Sequence, residues 1–184
     1  MDGEPGTTLT ADDLILRPWR PADAAEVFAV CQDPEIARWV TIPQPFLRTD
    51  ADAFIENALT MWRTGTGAAF AIVDVATDRL LGAVTRFGPE GHQATFGLWL
   101  APDARGRGVG TRSLRLVSDW TFATTAAIRL DSFIMVGNEA SNRMVERAGF
   151  RREGVLRAWD VHHDGVPVDC VVYSRIRGDE SRRL

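Results

Sequence analysis

The chain has 184 residues, a net charge of -4 and an isoelectric point near 5.4, a balance that argues against a nucleic-acid binder held by phosphate contacts and leaves open only a local arginine patch. All 21 Lys and Arg positions are arginine, and the absence of lysine excludes a Walker-type phosphate loop, a pyridoxal Schiff base and a kinase strand lysine. Against about 100 to 200 residues per domain, the length predicts a single domain, 11–178, between a mobile N-terminus, 1–10, and a short tail, 179–184.

LILRPW (14–19) reads as a short strand. Pro21 then opens a helix with Ala25, Phe28 and Val30 or Cys31 on one side. DPEIARWV (33–40) predicts a second short helix, followed by the proline-broken loop TIPQPF. Thr49 with Asp52 resembles a capping box ahead of Phe54, Ala58, Met61 and Trp62 at helical spacing. AAFAIVDV (68–75), LLGAVTRF (80–87) and QATFGLWLA (93–101) read as three consecutive antiparallel strands. Val109, Leu116, Trp120 and Ala123 predict a helix, IRLDSFIMV (128–136) a strand, and EASNRMVERA (139–148) a short helix stopped at Gly149. Two strands, 151–163 and 166–176, close the chain around an HDG turn. The sum is α+β: a mixed, mostly antiparallel sheet of about seven strands in a three-layer α/β arrangement, with one strand-helix-strand crossover in the middle.

The run LAPDARGRGVGTRS (100–113) opens that crossover helix. Glycine at every second position does not serve packing, because it costs about 0.5 to 1 kcal/mol relative to alanine inside an element. At a helix entry, where the first amides lack intrahelical partners and face the positive end of the dipole, bare backbone suits an anion, and phosphate is the natural guest. The spacing is not GxGxxG with a later ribose-binding acid, so a dinucleotide site is disfavoured.

Arg105-Gly106-Arg107-Gly108-Val109-Gly110 resembles the acyl-CoA signature Q/R-x-x-G-x-G/A of the Gcn-related N-acetyltransferase (GNAT) superfamily. The resemblance extends through LILRPWRPADA, DPEIARWV, GLWLAPDARGRGVGT, GNEASNRMVERAGFRREGVLR and the final hairpin, and among branches it is nearest the ribosomal-protein N-terminal (alanine) acetyltransferases. It implies the acyl-CoA N-acyltransferase fold, with acetyl-CoA or another acyl-CoA as co-substrate. Backbone amides from Arg105 to Gly110, with Thr111, would wrap the pyrophosphate. The pantetheine arm would pair along Leu98, Trp99 and Leu100, where a backbone amide polarises the thioester. Arg105, Arg107, Arg112 and Arg115 would form a positive rim, although Arg112 stands where the branch often has glutamate. Asn138, also a good helix cap, would touch the pantetheine arm. Ser141 aligns with the proton donor to the departing thiolate, since the only tyrosine, Tyr173, lies on the last strand.

Alternation on RAWDVHHD places Asp160 and His162 on one strand face and Trp159, Val161 and His163 on the other. By the resemblance, Asp160 falls at the branch's general-base glutamate, one methylene shorter. Glu153 and Asp169 are weaker carboxylate candidates, and His92 is expected in a solvent-exposed turn. Divergence of His162 and His163 makes them a poor metal pair, and no metal is expected. The acceptor pocket would lie between the N-terminal helices and the closing hairpin, nominating Trp39, Phe46, Trp62, Trp159 and His162.

The activity implied is direct attack of a primary amine on an acyl-CoA thioester in a ternary complex. A protein α-amino group, about ten percent neutral at pH 7 against about 0.04% for lysine, suits a weak base best. A small-molecule amine acetyltransferase (antibiotic, polyamine or amino acid) and a non-catalytic acyl-CoA sensor are the alternatives. No nucleic acid and no membrane partner is expected, and a homodimer is left open. The acidic start, MDGEPGTTLTADD, lacks the basic residues of a signal peptide, and Cys31 and Cys170 form no disulfide framework, so the expected compartment is the cytoplasm.

Overall fold

The computed structural model describes residues 6–179; residues 1–5 and 180–184, part of the expected mobile start and most of the tail, lie outside the described residues. In chain order the elements are β1 (Leu9–Ala11), β2 (Leu14–Pro18), α1 (Ala24–Val30), α2 (Pro34–Trp39), α3 (Arg48–Thr64), β3 (Gly67–Asp74), β4 (Leu80–Glu90), β5 (Gln93–Leu100), α4 (Val109–Thr124), β6 (Arg129–Met135), α5 (Glu139–Arg147), β7 (Arg151–Val161) and β8 (Pro167–Ile176). They build one eight-stranded sheet in the order β1-β2-β3-β4-β5-β6-β8-β7. Every pair is antiparallel except β5 with β6, the two strands joined by the α4 crossover. The strand beyond the expected seven is β1. Leu9 and Thr10, expected in a mobile segment, pair with Leu16 and Ile15 of β2 across a tight turn.

β3 shows why three layers form. Its residues alternate between two buried clusters: Ala68, Phe70 and Ile72 face Leu114 and Val117 of α4, while Ala69, Ala71 and Val73 face Ala51, Ile55 and Ala58 of α3. Period-two alternation with both faces apolar is the signature of a central strand covered on both sides. So α4 and α5 lie on one face, and α1, α2 and α3 on the other.

Three local expectations need correction. α3 is capped two residues earlier than the Thr49/Asp52 pattern suggests. Leu47 is the cap residue, its N–H donates to the Asp50 carboxylate at 2.7 Å, and Asp52 instead pairs with Arg48 at 3.4 Å. α1 follows a 3-10 turn at Pro21–Asp23 and buries Ala24 and Val27 rather than Ala25. α4 buries Val109, Ser113, Leu114, Val117, Ser118 and Thr121, leaving Leu116 and Trp120 only partly covered and Ala123 exposed. Ser118 and Thr121 enter the core because their hydroxyls donate to the carbonyls of Leu114 at 2.6 Å and Val117 at 2.7 Å, which removes most of the penalty of burying them.

Candidate active site

β5 and β6 stay paired only from Gln93–Arg129 to Phe96–Ser132. Beyond that point β6 remains bound to β8 as far as Met135–Cys170, and β5 remains bound to β4 as far as Leu100–Gly82, so the sheet splits between them. A cavity of about 660 Å³ occupies the split. It is lined from the α4/α5 face by Gly106, Gly108, Gly110, Ser141 and Met144, and from the α2 face by Glu35, Ile36 and Trp39. The passage therefore crosses the sheet, bordered by the β5 segment Gly97–Leu100, whose backbone has no β6 partner. Leu98 and Leu100 pack toward the α4 cluster and Trp99 toward the α1–α3 cluster.

Arg105 to Thr111 form one wall. Gly106 (φ 72°) and Gly108 (φ 74°) are left-handed, and a Cβ on either would meet nothing within 4 Å, so conformation rather than crowding requires glycine there. Gly108 caps α4, which leaves the N–H groups of Val109, Gly110 and Thr111 without an intrahelical acceptor beside the cavity. Gly110 serves a different purpose: its Cβ would lie 2.5 Å from Met144 Sδ and 3.3 Å from Leu100 Cδ1, so its bareness lets α4 approach α5 and β5. Thr111 lines the cavity and its hydroxyl lies 3.5 Å from the Met144 carbonyl.

The expected rim of arginines is largely tied to other partners. Arg105 lines the cavity, but its Nη2 donates to Asp33 Oδ2 and to the Leu100 carbonyl at 3.1 Å. Arg112 turns to Asp13 and Asp12, Arg115 donates to the Arg147 carbonyl at 2.5 Å, and Arg107 lies outside the cavity lining near the Asp103 carbonyl at 3.4 Å. Acids distant in sequence claim Arg105 and Arg112, and backbone carbonyls engage Arg107 and Arg115. In their place α5 presents Arg143 and Arg147 to the cavity, both missed in the sequence because a helical arginine there reads as a solvated face. Arg143 has no ion pair among the described residues.

Asn138 caps α5, accepting from the Ser141 N–H at 3.1 Å through Oδ1, which leaves its amide nitrogen for another partner. Both residues line the cavity. Ser141 is half-buried, with its hydroxyl in no hydrogen bond among the described residues. Tyr173 is buried in the α4-side core and donates to Glu146 at 3.2 Å; burial raises its phenol, and it is not part of the lining.

Asp160 lines the cavity, half-buried, accepting from the Val161 N–H at 2.7 Å. The simple alternation expected around it fails. Leu156 pairs with Cys170 and Asp160 with Val168, so three β7 residues oppose one on β8. Ala158 takes φ 47° at this bulge, its N–H held by Asp169 at 2.8 Å. Asp169 is thus part of the bulge, while Glu153 is bound to Arg129 and Ser174 near the opposite end of β7. Trp159 does not line the cavity; it stacks on Phe133, which does, at 4.7 Å between centroids.

His162, expected with Asp160, lies past the end of β7 and lines a separate pocket of about 460 Å³ with His163, Cys31, Arg38 and Phe46. The two histidine rings approach to 4.0 Å instead of diverging, because the strand has ended. Phe46 is buried in the α1–α3 core, and Trp62 is in the core with its indole N–H on the Ala69 carbonyl at 2.8 Å. Neither reaches the cavity. His92 is exposed, as expected. Of the nominated aromatics only Trp39 lines it, beside Glu35, a carboxylate missed in the sequence that accepts from Trp39 Nε1 at 3.1 Å.

Cys170 also lines the cavity, and burial pushes its thiol up to about 11, which leaves a thiolate fraction of about 10⁻⁴ at pH 7. Among the described residues no group of three or more His, Cys, Asp or Glu could hold a metal ion, and no helix is long and apolar enough to cross a membrane.

Residues 13–151 match the acetyltransferase (GNAT) domain. The chain belongs to the GNAT family. The family match spans the passage's β5 border, the glycine loop and α5. The chain is 26% identical over 174 residues, 94% of its length and 98% of the relative's, to the uncharacterized N-acetyltransferase YoaA of Bacillus subtilis (strain 168). Its fold is similar to ribosomal-protein-S5-alanine acetyltransferase from Vibrio fischeri (TM-score 0.81, 19% identity, 94% of this chain and 98% of that one). It is equally similar to the microcin C7 self-immunity acetyltransferase MccE, solved with acetyl-CoA and AMP (TM-score 0.82, 21% identity, 90% and 93%). This GNAT protein is an acetyl-CoA-dependent N-acetyltransferase.

Proposed function

We propose that the chain transfers an acetyl group from acetyl-CoA to the α-amino group of a protein N-terminus, by direct attack within a ternary complex. The observation that carries this reading is the passage through the split sheet, with unpaired helix N–H groups on one side and a carboxylate, Asp160, at its wall. The residues fit acyl-CoA. A cavity of about 660 Å³ suits a ligand of that size, and two left-handed glycines shape a loop whose amides can hold a pyrophosphate. Arg143 and Arg147 supply cations at the same wall. The free edge of β5 from Gly97 to Leu100 offers backbone groups for an extended arm to pair with, as an added strand does.

In this reading acyl-CoA supplies the activated thioester, and the side chains move protons. Asp160, directly or through one water, accepts the proton of the incoming ammonium. Ser141 donates to the departing sulfur, a modest contribution because a thiol of pKa about 8.5 leaves readily. Cys170 is the only cysteine on the cavity wall among the described residues, and its protonated state opposes a covalent acyl-enzyme and favours direct transfer. An α-amino acceptor fits this equipment because a useful fraction is already neutral at pH 7. Both thiols are free and buried, which suits the reducing cytoplasm.

The two structural neighbours point to different acceptor classes, ribosomal protein and a complex containing AMP, so the test compares acceptors directly. Thiol release from acetyl-CoA is followed with a panel of peptides bearing free N-termini and a panel of polyamines, amino acids and amino-bearing nucleotides. Faster release with peptides, abolished by blocking their N-terminus, supports the proposal. Turnover confined to small amines overturns it in favour of a small-molecule acetyltransferase, and CoA binding with no release overturns it in favour of a sensor.

A further inference from the structure

We propose that Arg105 is a positioning residue for the acceptor side, tying the glycine loop to α2 and so fixing the spacing between acyl donor and amine. The proposal rests on the placement of acyl-CoA and amine just described. Its basis is a continuous belt of contacts around the passage. Arg105 Nη2 bonds the Leu100 carbonyl at 3.1 Å, at the end of the unpaired β5 edge, and also Asp33 Oδ2. The Asp33 side chain is only 15% exposed, and Arg105 is the cation set against it. Its other oxygen, Oδ1, accepts from the Glu35 N–H at 3.3 Å and caps α2. From α2, Trp39 is held to Glu35 and reaches across to Gly137, where a Cβ would sit 3.7 Å from Trp39 Cη2. Gly137 precedes Asn138, the cap of α5. The belt thus runs from the entry of α4, over α2, to the entry of α5.

α2 has six residues, too few to hold its own orientation by helix formation. Apart from the burial of Ile36, the Arg105–Asp33 contact is what anchors its N-terminal end to the donor side. A guanidinium suits this task because a single terminal nitrogen carries two N–H groups, and Nη2 serves a carboxylate and a carbonyl together. Shifting one reactant by about 1 Å can cost on the order of 10²-fold in rate, so a loosened belt should be read in transfer before it is read in cofactor affinity.

The experiment is a double-mutant cycle of D33N and R105Q on the full chain. Asparagine caps a helix as well as aspartate, so D33N removes the charge contact while preserving the cap. Three quantities are measured: acetyl-CoA Kd by calorimetry, kcat/KM for the acceptor, and hydrogen exchange of residues 34–39 without ligand. The expected result is faster exchange in 34–39 in both single variants, with kcat/KM for the acceptor down about tenfold and acetyl-CoA Kd for D33N within twofold of wild type. The double variant should be no worse than R105Q alone. Additive losses, unchanged exchange in 34–39, or an acetyl-CoA Kd for D33N raised as much as kcat/KM for the acceptor falls would overturn the proposal. Failure of the wild-type chain to bind acetyl-CoA would instead overturn the site reading, while the exchange measurement still decides the belt.

Discussion

Gly108→Ala separates two reasons for a glycine-rich loop. Gly108 sits at φ 74° and caps α4, yet a Cβ built there meets nothing within 4 Å. The cost of alanine is therefore conformational, about 1–2 kcal/mol for a side chain in the left-handed region. Part is offset because alanine lowers the entropy of the unfolded chain by about 0.4–1 kcal/mol. The net is about 1 kcal/mol, a fall in Tm of about 2–4 °C for a chain of this size. Gly108→Asn should recover part of that loss, since asparagine adopts left-handed backbone more readily. Gly110→Ala is the contrasting case: the space is filled by Met144 and Leu100, both cavity-lining, so acetyl-CoA affinity falls while helix propensity and crowding oppose each other in stability. Differential scanning calorimetry and acetyl-CoA titration on the three variants provide the assay. A Gly108→Ala protein as stable as wild type, or a Gly108→Asn protein less stable than Gly108→Ala, would refute the conformational reading.

Asp160→Asn should lower kcat by about 10²-fold near neutrality and change the acidic limb of the kcat/KM profile; an unchanged profile removes Asp160 from the mechanism. Ser141→Ala should cost about tenfold or less in kcat with acetyl-CoA Kd unchanged, because the leaving thiol needs little help; a much larger loss would make proton donation the controlling step. The Arg129 guanidinium and Ser174 hydroxyl hold the Glu153 carboxyl below its ordinary range. A lowered folded-state pKa gives stability that is present above the unfolded value and lost as pH falls through the folded one. Discounted for partial exposure, that is about 0.5 kcal/mol, so Glu153→Gln should lose slightly less Tm than wild type between pH 7 and pH 3. Equal losses in melts at the two pH values would show that the ion pair contributes nothing.

The sheet and its crossover were legible in sequence where patterning was local. β3, β4 and β5 show apolar runs separated by turn residues, and the glycine loop lies where a strand meets a helix. α4 was located correctly but rotated, because Ser118 and Thr121 satisfy their hydroxyls within the helix and so can face the core. The phase of β7 was lost at Ala158, since nothing in RAWDVHH marks a bulge that depends on Asp169 of the neighbouring strand. Distance hid the rest. Arg105 and Asp33 are 72 positions apart and Arg112 and Asp13 are 99 apart, so no local pattern could show that these cations are already paired. Glu35 reads as an ordinary exposed helix residue until the fold places α2 across the split in the sheet. The resemblance places His162 and Phe46 in the acceptor pocket, but the strand end and the loop after α2 carry them to the second pocket.

The central claim is direct transfer within one passage that holds both substrates. Initial rates measured over a grid of acetyl-CoA and N-terminal peptide concentrations test it most directly. Intersecting double-reciprocal lines, with no acetylated protein under turnover, are the predicted result. Parallel lines with a stoichiometric acetyl group on Cys170 would contradict it.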